Sequence, residues 1–121
     1  MDCIFCKINN NEIPSYTIFE DNIVRVFLDI HPETPGHCLI IPKKHIENIE
    51  DMDIDTLNHI MMIYIKMYKH LKQKLKFDGL TITQNNGMVQ DVKHFHLHLV
   101  PKYHKINKMP IKEVYELLKT E

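Results

Sequence analysis

The spacing of apolar residues changes several times along the chain, and each change marks an element. Ile4, Phe5 and Ile8 give the first segment one apolar side, which predicts a short helix. Ser15 to Glu20 carries Tyr16, Ile18 and Glu20 on one side, and the turn Asp21-Asn22 leads into Ile23 to Leu28. That pattern predicts an antiparallel hairpin. Two prolines and a glycine make Asp29 to Gly36 a loop. His37 opens a continuous apolar run, Cys38 to Ile41, which reads as a central strand stopped by Pro42, with Lys43, Lys44 and His45 on the surface beyond it. Asp53 is a helix cap, after which Leu57, Ile60, Met61, Tyr64, Tyr68, Leu71 and Leu75 recur at three- and four-residue steps. They predict one long helix, Asp53 to Lys76, whose apolar surface Met62, Ile63 and Met67 widen. Asp78-Gly79 is a turn, Leu80 to Gln84 a fourth strand, and Asn85 to Asp91 a polar loop. In the tail, Ile111, Val114, Tyr115 and Leu118 share a helical face, so Ile111 to Lys119 reads as a short covering helix. The fold class is α+β: about five antiparallel strands with a long helix packed across them.

The last strand carries the chemistry. In His94-Phe95-His96-Leu97-His98-Leu99-Val100-Pro101, three histidines alternate with apolar residues. Side chains alternate in a strand, so His94, His96 and His98 share one face while Phe95, Leu97 and Leu99 pack on the other. Neighbouring imidazoles on that face stand about 6.6 Å apart at the backbone. Protonating one then disfavours protonating the next, which keeps the row neutral near pH 7. Neutral imidazole is the nucleophile, the general base and the metal ligand.

Composition narrows the class. The chain has 121 residues, 44% of them hydrophobic, with 15 basic against 16 acidic side chains. That fits one domain over residues 1–121 with a true core. The balanced charge gives no reason to expect nucleic acid, and the lysines of the long helix, without stacking aromatics, read as a solvated face. No apolar run reaches membrane-spanning length, and the acidic opening Met1-Asp2 does not read as a signal peptide. A cytoplasmic setting is the default, where three cysteines point to metal or free thiols. Cys3 and Cys6 form a Cys-x-x-Cys that can contribute half of a zinc site, a redox pair, or two buried cysteines beside a helix.

Further motifs lie before the histidine row: Glu12-Ile13-Pro14, Phe19-Glu20-Asp21, Asp29-Ile30-His31-Pro32, Pro35-Gly36-His37, Ile41-Pro42-Lys43-Lys44-His45, and Gln84-Asn85-Asn86-Gly87 with Gln90. Together with the row they resemble the histidine-triad (HIT) superfamily of nucleotide hydrolases and transferases, from about Ile4 to Pro101. The subfamily they resemble most is the short-chain, homodimeric group of purine nucleoside phosphoramidases and dinucleoside polyphosphate hydrolases. The resemblance implies a HIT-like fold with a short helix at each end. It implies that His96 attacks the α-phosphorus of a purine nucleotide, that His98 contacts phosphate oxygens, and that His37 hydrogen-bonds His96 and holds its tautomer. It places Asp29 on the ribose hydroxyls and Ile4, Phe5, Ile8, Phe27, Ile30 and Leu39 around the base. Asn85 would face the phosphate or ribose, with Gln90 in the phosphate loop, and Asp91 joins them among the substrate-binding residues. Some bacterial HIT proteins and the related uridylyltransferases bind zinc at positions matching Cys3, Cys6, His45 and His94. This implies a closed structural zinc site, with His94 shared between it and the catalytic row. A homodimer is the implied assembly.

The chain departs from that pattern near the phosphates. Asp91 stands where phosphoramidases usually carry Ser or Thr, the loop before Gln90 is about two residues short, and Val89 replaces a glycine. A carboxylate beside a polyphosphate repels it unless protonated or paired. A second reading is therefore a nucleotide- or partner-binding protein of the same fold with weak or no turnover. A small zinc module is a third, but the distance from Cys6 to His45 fits no compact finger.

Overall fold

A computed structural model describes residues 3–119; the acidic opening at Met1-Asp2 and the last two residues lie outside the described part. Its elements, in chain order, are α1 (Ile4–Asn9), β1 (Thr17–Glu20), β2 (Val24–Leu28), β3 (Cys38–Pro42), α2 (Ile54–Leu75), β4 (Gly79–Thr83), β5 (Leu97–Lys102) and α3 (Ile111–Leu118). The strands form one antiparallel sheet in the order β1-β2-β3-β5-β4, so β3 is central and β4 lies at an edge.

Both faces of the middle of the sheet are covered, which is why every residue of β2 and β3 is buried. Val24, Val26, Leu28, Cys38, Ile40, Leu97 and Leu99 point to the main core with α2 and α3. The alternate residues Phe27, Leu39 and Ile41 form a smaller core with Cys3, Phe5 and Ile8 of the α1 region. Each such aliphatic or aromatic side chain is worth about 1.5–3 kcal/mol when fully buried. The antiparallel hairpin expected for β1 and β2 is present, and β2 buries both sides because α1 folds back over it.

The long helix has the predicted ends. Asp53 accepts a hydrogen bond from the Thr56 N–H at 2.9 Å, and Lys76 closes the helix in the left-handed region at φ +53°. The core stripe differs from the expected one. Ile60, Ile63, Met67, Leu71 and Leu75 face the sheet, whereas Met61 is exposed. Tyr64 and Tyr68 sit at the edge of the stripe, and Tyr68 packs edge-on against Phe77. Lys66 is exposed, as expected of the solvated face, and places its ammonium 4.3 Å from the centre of the Phe19 ring.

The histidine row is a second correction. β5 begins only at Leu97, so His94 and His96 lie in an irregular lead-in. The β3–β5 ladder ends at Ile40–Leu97. Beyond it, Pro42 has no N–H to give, and its carbonyl accepts from the His94 ring at 2.9 Å. The Phe95 N–H instead bonds the Ile46 carbonyl at 2.7 Å, tying the lead-in to the segment after β3.

Candidate active site

Strand register builds the floor of a cleft. Phe27 pairs with Leu39, and Leu39 pairs with His98, so these three side chains stand side by side on the α1 face. Above them lies a cleft of about 220 Å³ lined by Ile4, Phe5, Ile8, Phe27, Ile30 and Leu39, together with Asp29, Asp91, His96 and His98. The structure therefore brings together all six residues expected around a base. The sequence reading missed Ile13, Pro14, Ser15 and Val92, which also line it. Val92 lies in a connecting segment with no periodicity to flag it, and Ile13, Pro14 and Ser15 precede β1, which begins at Thr17 and not at Ser15 as expected. Phe5 joins the cleft to the histidine row: its ring packs edge-on against His96, with ring centroids 5.0 Å apart, and against His94 at 5.8 Å.

Backbone groups set the histidine tautomers, since a carbonyl only accepts and an N–H only donates. His96 Nδ1 lies 2.7 Å from the carbonyl oxygen of its own neighbour, His94. The hydrogen is therefore on Nδ1, and Nε2 keeps its lone pair. The Glu33 N–H donates to His37 Nδ1 at 3.1 Å, so His37 carries its hydrogen on Nε2. That N–H faces His98 Nδ1 at 3.0 Å, with an Asp29 carboxylate oxygen at 3.5 Å. His98 in turn holds its hydrogen on Nε2, ready to donate to an anionic oxygen in the cleft. His37 thus bonds His98 and not His96. Its expected partner is one residue pair off, because the His94 carbonyl already holds His96 Nδ1. Burial pushes the pKa of His37 and His98 below the ordinary value. The neighbouring His96 and His37 lower His98 further, while Asp29 and Glu33 partly offset the fall at His37.

Four other polar residues were expected at the cleft. Asp91 is there: one carboxylate oxygen lies 3.3 Å from His96 Nε2, and the side chain is 79% exposed. Asn85 does not line the cleft, and neither does Gln90. Gln90 is buried and donates to the Glu47 carbonyl, pinning the loop rather than facing a phosphate. A short loop held down at residue 47 cannot also turn that amide toward His96. Asp29 reaches the cleft rim, one oxygen accepting from the His31 N–H at 2.8 Å.

The four expected metal ligands converge. Ligand atoms of Cys3, Cys6, His45 and His94 all lie within 4.8 Å of one another. His94 Nδ1 is 3.2 Å from Cys3 Sγ and 3.6 Å from Cys6 Sγ, and His45 Nδ1 is 3.2 Å from Cys6 Sγ. A tetrahedron with zinc–sulfur bonds of about 2.3 Å and zinc–nitrogen bonds of about 2.0 Å has sulfur–nitrogen edges of roughly 3.5 Å. The donor set therefore fits Zn²⁺. His94 Nε2 donates to the Pro42 carbonyl, which aims the Nδ1 lone pair at the thiols, as supporting hydrogen bonds do around metal ligands. Without a metal, burial pushes the His94 pKa down to about 4, with His45 and His96 adding to the fall and the Pro42 bond opposing it. Burial, then Cys3, pushes the Cys6 thiol up to about 11, so metal binding there releases a proton. His45, expected on the surface, is half-buried in this cluster. Asp29, His37 and His98 also converge, but the two imidazoles use the facing nitrogens on each other.

Comparison with known proteins gives the same picture. An uncharacterised HIT-like protein of Methanocaldococcus jannaschii is 48% identical over 103 residues, covering 84% of this chain and 79% of that protein. The adenosine 5'-monophosphoramidase HNT1 of Saccharomyces cerevisiae is 43% identical over 102 residues, covering 83% of this chain and 62% of the yeast protein. A crystal structure of a zinc-bound histidine triad family protein from Mycobacterium smegmatis superposes with a TM-score of 0.88 at 30% identity, covering 98% of this chain and 91% of that one. Residues 10–105 match the HIT domain, and the chain belongs to the HIT family.

Proposed function

We propose that this protein is a nucleotidyl hydrolase that cleaves at the α-phosphorus of a purine nucleoside phosphoramidate or dinucleoside polyphosphate and releases a nucleoside monophosphate. The observation that carries the reading is the His96 tautomer: Nδ1–H is held by the His94 carbonyl, so the Nε2 lone pair stands at the edge of an apolar, base-sized slot. The base lies between Ile4, Phe5, Ile8, Phe27, Ile30 and Leu39, and the Asp29 carboxylate accepts from the ribose hydroxyls. His96 Nε2 attacks phosphorus and forms a nucleotidyl-histidine as the leaving group departs with its bonding pair; water then breaks the phosphorus–nitrogen bond. His98 Nε2–H donates to a phosphate oxygen, and His37 and Asp29 hold His98 in that tautomer. Zinc on Cys3, Cys6, His45 and His94 supplies a structural tie between α1 and the catalytic row. Its thiols need a reducing compartment, which supports the cytoplasmic reading. The named activity of the yeast relative supports the reaction class.

The test is intact-mass spectrometry after brief mixing with an adenosine phosphoramidate, wild type beside His96→Ala. The expected result is one adenylyl adduct, or turnover to AMP, in the wild type and neither in the variant. Binding of AMP by both proteins with no adduct or product in either would overturn the hydrolase reading. It would favour the alternative, a binding protein without turnover, for which the Asp91 carboxylate on the attacking nitrogen is the specific argument.

The reading extends to a single domain acting as a homodimer. Met61, Met62 and Ile65 leave an exposed apolar strip on α2, and β4 is an open sheet edge. Sedimentation as a monomer alone at micromolar concentration would overturn that assembly. No helix among the described residues is long and apolar enough to cross a membrane.

A further inference from the structure

Resting on the reading above, we infer that Ser15 reads the far edge of the base and selects a 6-oxopurine, hypoxanthine or guanine, over adenine. Three observations carry this. First, the strand register sets a row across the sheet on the α1 face: Thr17 pairs with Phe27, Phe27 with Leu39, and Leu39 with His98. Three strand spacings make that row about 14 Å long. A nucleotide with its phosphate on His98 and its ribose on Asp29 lays its base over Leu39 and Phe27, and the edge remote from the sugar meets β1. Second, Ser15 lines the cleft at that end and is half-buried. It also lines an adjoining polar opening of about 300 Å³, together with Thr17, Glu20 and Arg25. Third, a buried cation stands behind Ser15. Arg25 is 4% exposed and lies two residues from Phe27 in β2, on the same face.

The hydrogen bonds of this cluster have a direction. Arg25 Nη2 donates to Glu20 Oε2 at 2.8 Å and to Asn11 Oδ1 at 3.1 Å. Its Nη1 donates to Thr17 Oγ1 at 3.4 Å, and its buried Nε has no partner among the described residues. Thr17 Oγ1 in turn lies 2.7 Å from Ser15 Oγ. A guanidinium only donates, so the acceptor these contacts offer the Thr17 hydroxyl hydrogen is Ser15 Oγ. Ser15 therefore accepts from Thr17 and keeps its own hydrogen for the cleft. The purine edge remote from the sugar carries the C6 substituent. An oxygen at C6 accepts from Ser15, whereas the amino group of adenine brings a donor against a donor. Beside Ser15, Ile13, Pro14 and Phe27 offer the base only apolar side chains.

The experiment is calorimetric titration with AMP, IMP and GMP of the wild type, Ser15→Ala, Thr17→Val and Thr17→Ser, with the thermal midpoint of each. IMP differs from AMP only at C6 and the adjoining N1, so it separates the contact at C6 from the 2-amino group of guanine. The wild type is expected to bind IMP and GMP about tenfold more tightly than AMP, the size of one hydrogen bond. Ser15→Ala brings the IMP-to-AMP affinity ratio to within about twofold of unity, because that bond is gone. Thr17→Val keeps the shape and removes the hydroxyl that directs Ser15, so it lowers the ratio as well, and Thr17→Ser restores it. A wild-type preference that survives unchanged in Ser15→Ala, with affinities or midpoint falling for all ligands together, overturns Ser15 as the reader of the base. A wild type that binds AMP as tightly as IMP, or more tightly, overturns the inference and leaves the hydrolase reading standing. A wild type that binds none of the three overturns the nucleotide reading of the cleft, and the inference with it.

Discussion

The carbonyl oxygen of His94 holds Nδ1 of His96 at 2.7 Å, while the His94 ring itself faces Cys3 and Cys6. One residue thus joins the candidate metal-ligand set to the ring proposed as the nucleophile. The backbone does the orienting, which supports the reading in which the metal is structural.

Zinc analysis of protein made with zinc supplied should therefore find one ion per chain. Removing it by chelation, or by combining Cys3→Ser with Cys6→Ser, should lower the thermal midpoint by about 10 °C, the effect of losing a ligand held at roughly a hundredfold above its Kd. Calorimetry checks the shift, and mass spectrometry checks whether folded zinc-free molecules still acquire an adenylyl group on His96. Loss of that adduct in folded protein would place the metal in the chemistry instead.

The His37–His98 pair makes a pH prediction. Both imidazoles have pKa values lowered by burial, so the unfolded chain takes up their protons first as pH falls. The stability they contribute is intact above the unfolded histidine value of about 6.5 and is lost as pH drops below it toward the folded values. The thermal midpoint should thus fall between about pH 6.5 and 5, and the slope should be shallower in His37→Asn, which removes one of the two groups. A midpoint independent of pH across that window would contradict the tautomer chain from Glu33 through His37 to His98.

The chemistry of this fold was legible where period and residue type coincide. Alternation put His96 and His98 on one face, and Asp53 announced the start of α2. What escaped depended on pairs distant in sequence. The Leu39–His98 register makes the cleft floor, but a continuous apolar run such as Cys38 to Ile41 does not say which residue faces which side. The partner of His37 was misassigned because a backbone carbonyl, invisible to side-chain patterns, had already engaged His96. Gln90 was misplaced for a similar reason, since its amide goes to the Glu47 carbonyl. Cys3 and Cys6 were legible from their spacing as half of a possible zinc site, whereas His45 and His94 were reached through family likeness, because 39 positions separate Cys6 from His45.

Gly36 tests how tightly the loop before His37 is held. Its φ of +94° is strained for any residue with a Cβ, and that carbon would lie 2.5 Å from Leu75 Cδ1 and 3.1 Å from Pro101 Cγ. Leu75 is a buried residue of the core cluster, so it has little room to yield. Gly36→Ala should therefore cost about 1–3 kcal/mol, combining the backbone term with overpacking. Gly79 has open space around it and an ordinary φ, so Gly79→Ala serves as the neutral comparison. Because the His37 N–H bonds the Thr34 carbonyl at 3.1 Å and its carbonyl accepts from the Asp29 N–H at 3.0 Å, a shift at Gly36 is passed directly to the His37–His98 contact. Denaturant titration of both variants checks the energy, and single-turnover adenylylation checks the relay. Equal stability of the two alanine variants would mean that the loop relaxes freely, and that His37 owes its position to the Glu33 N–H rather than to the turn.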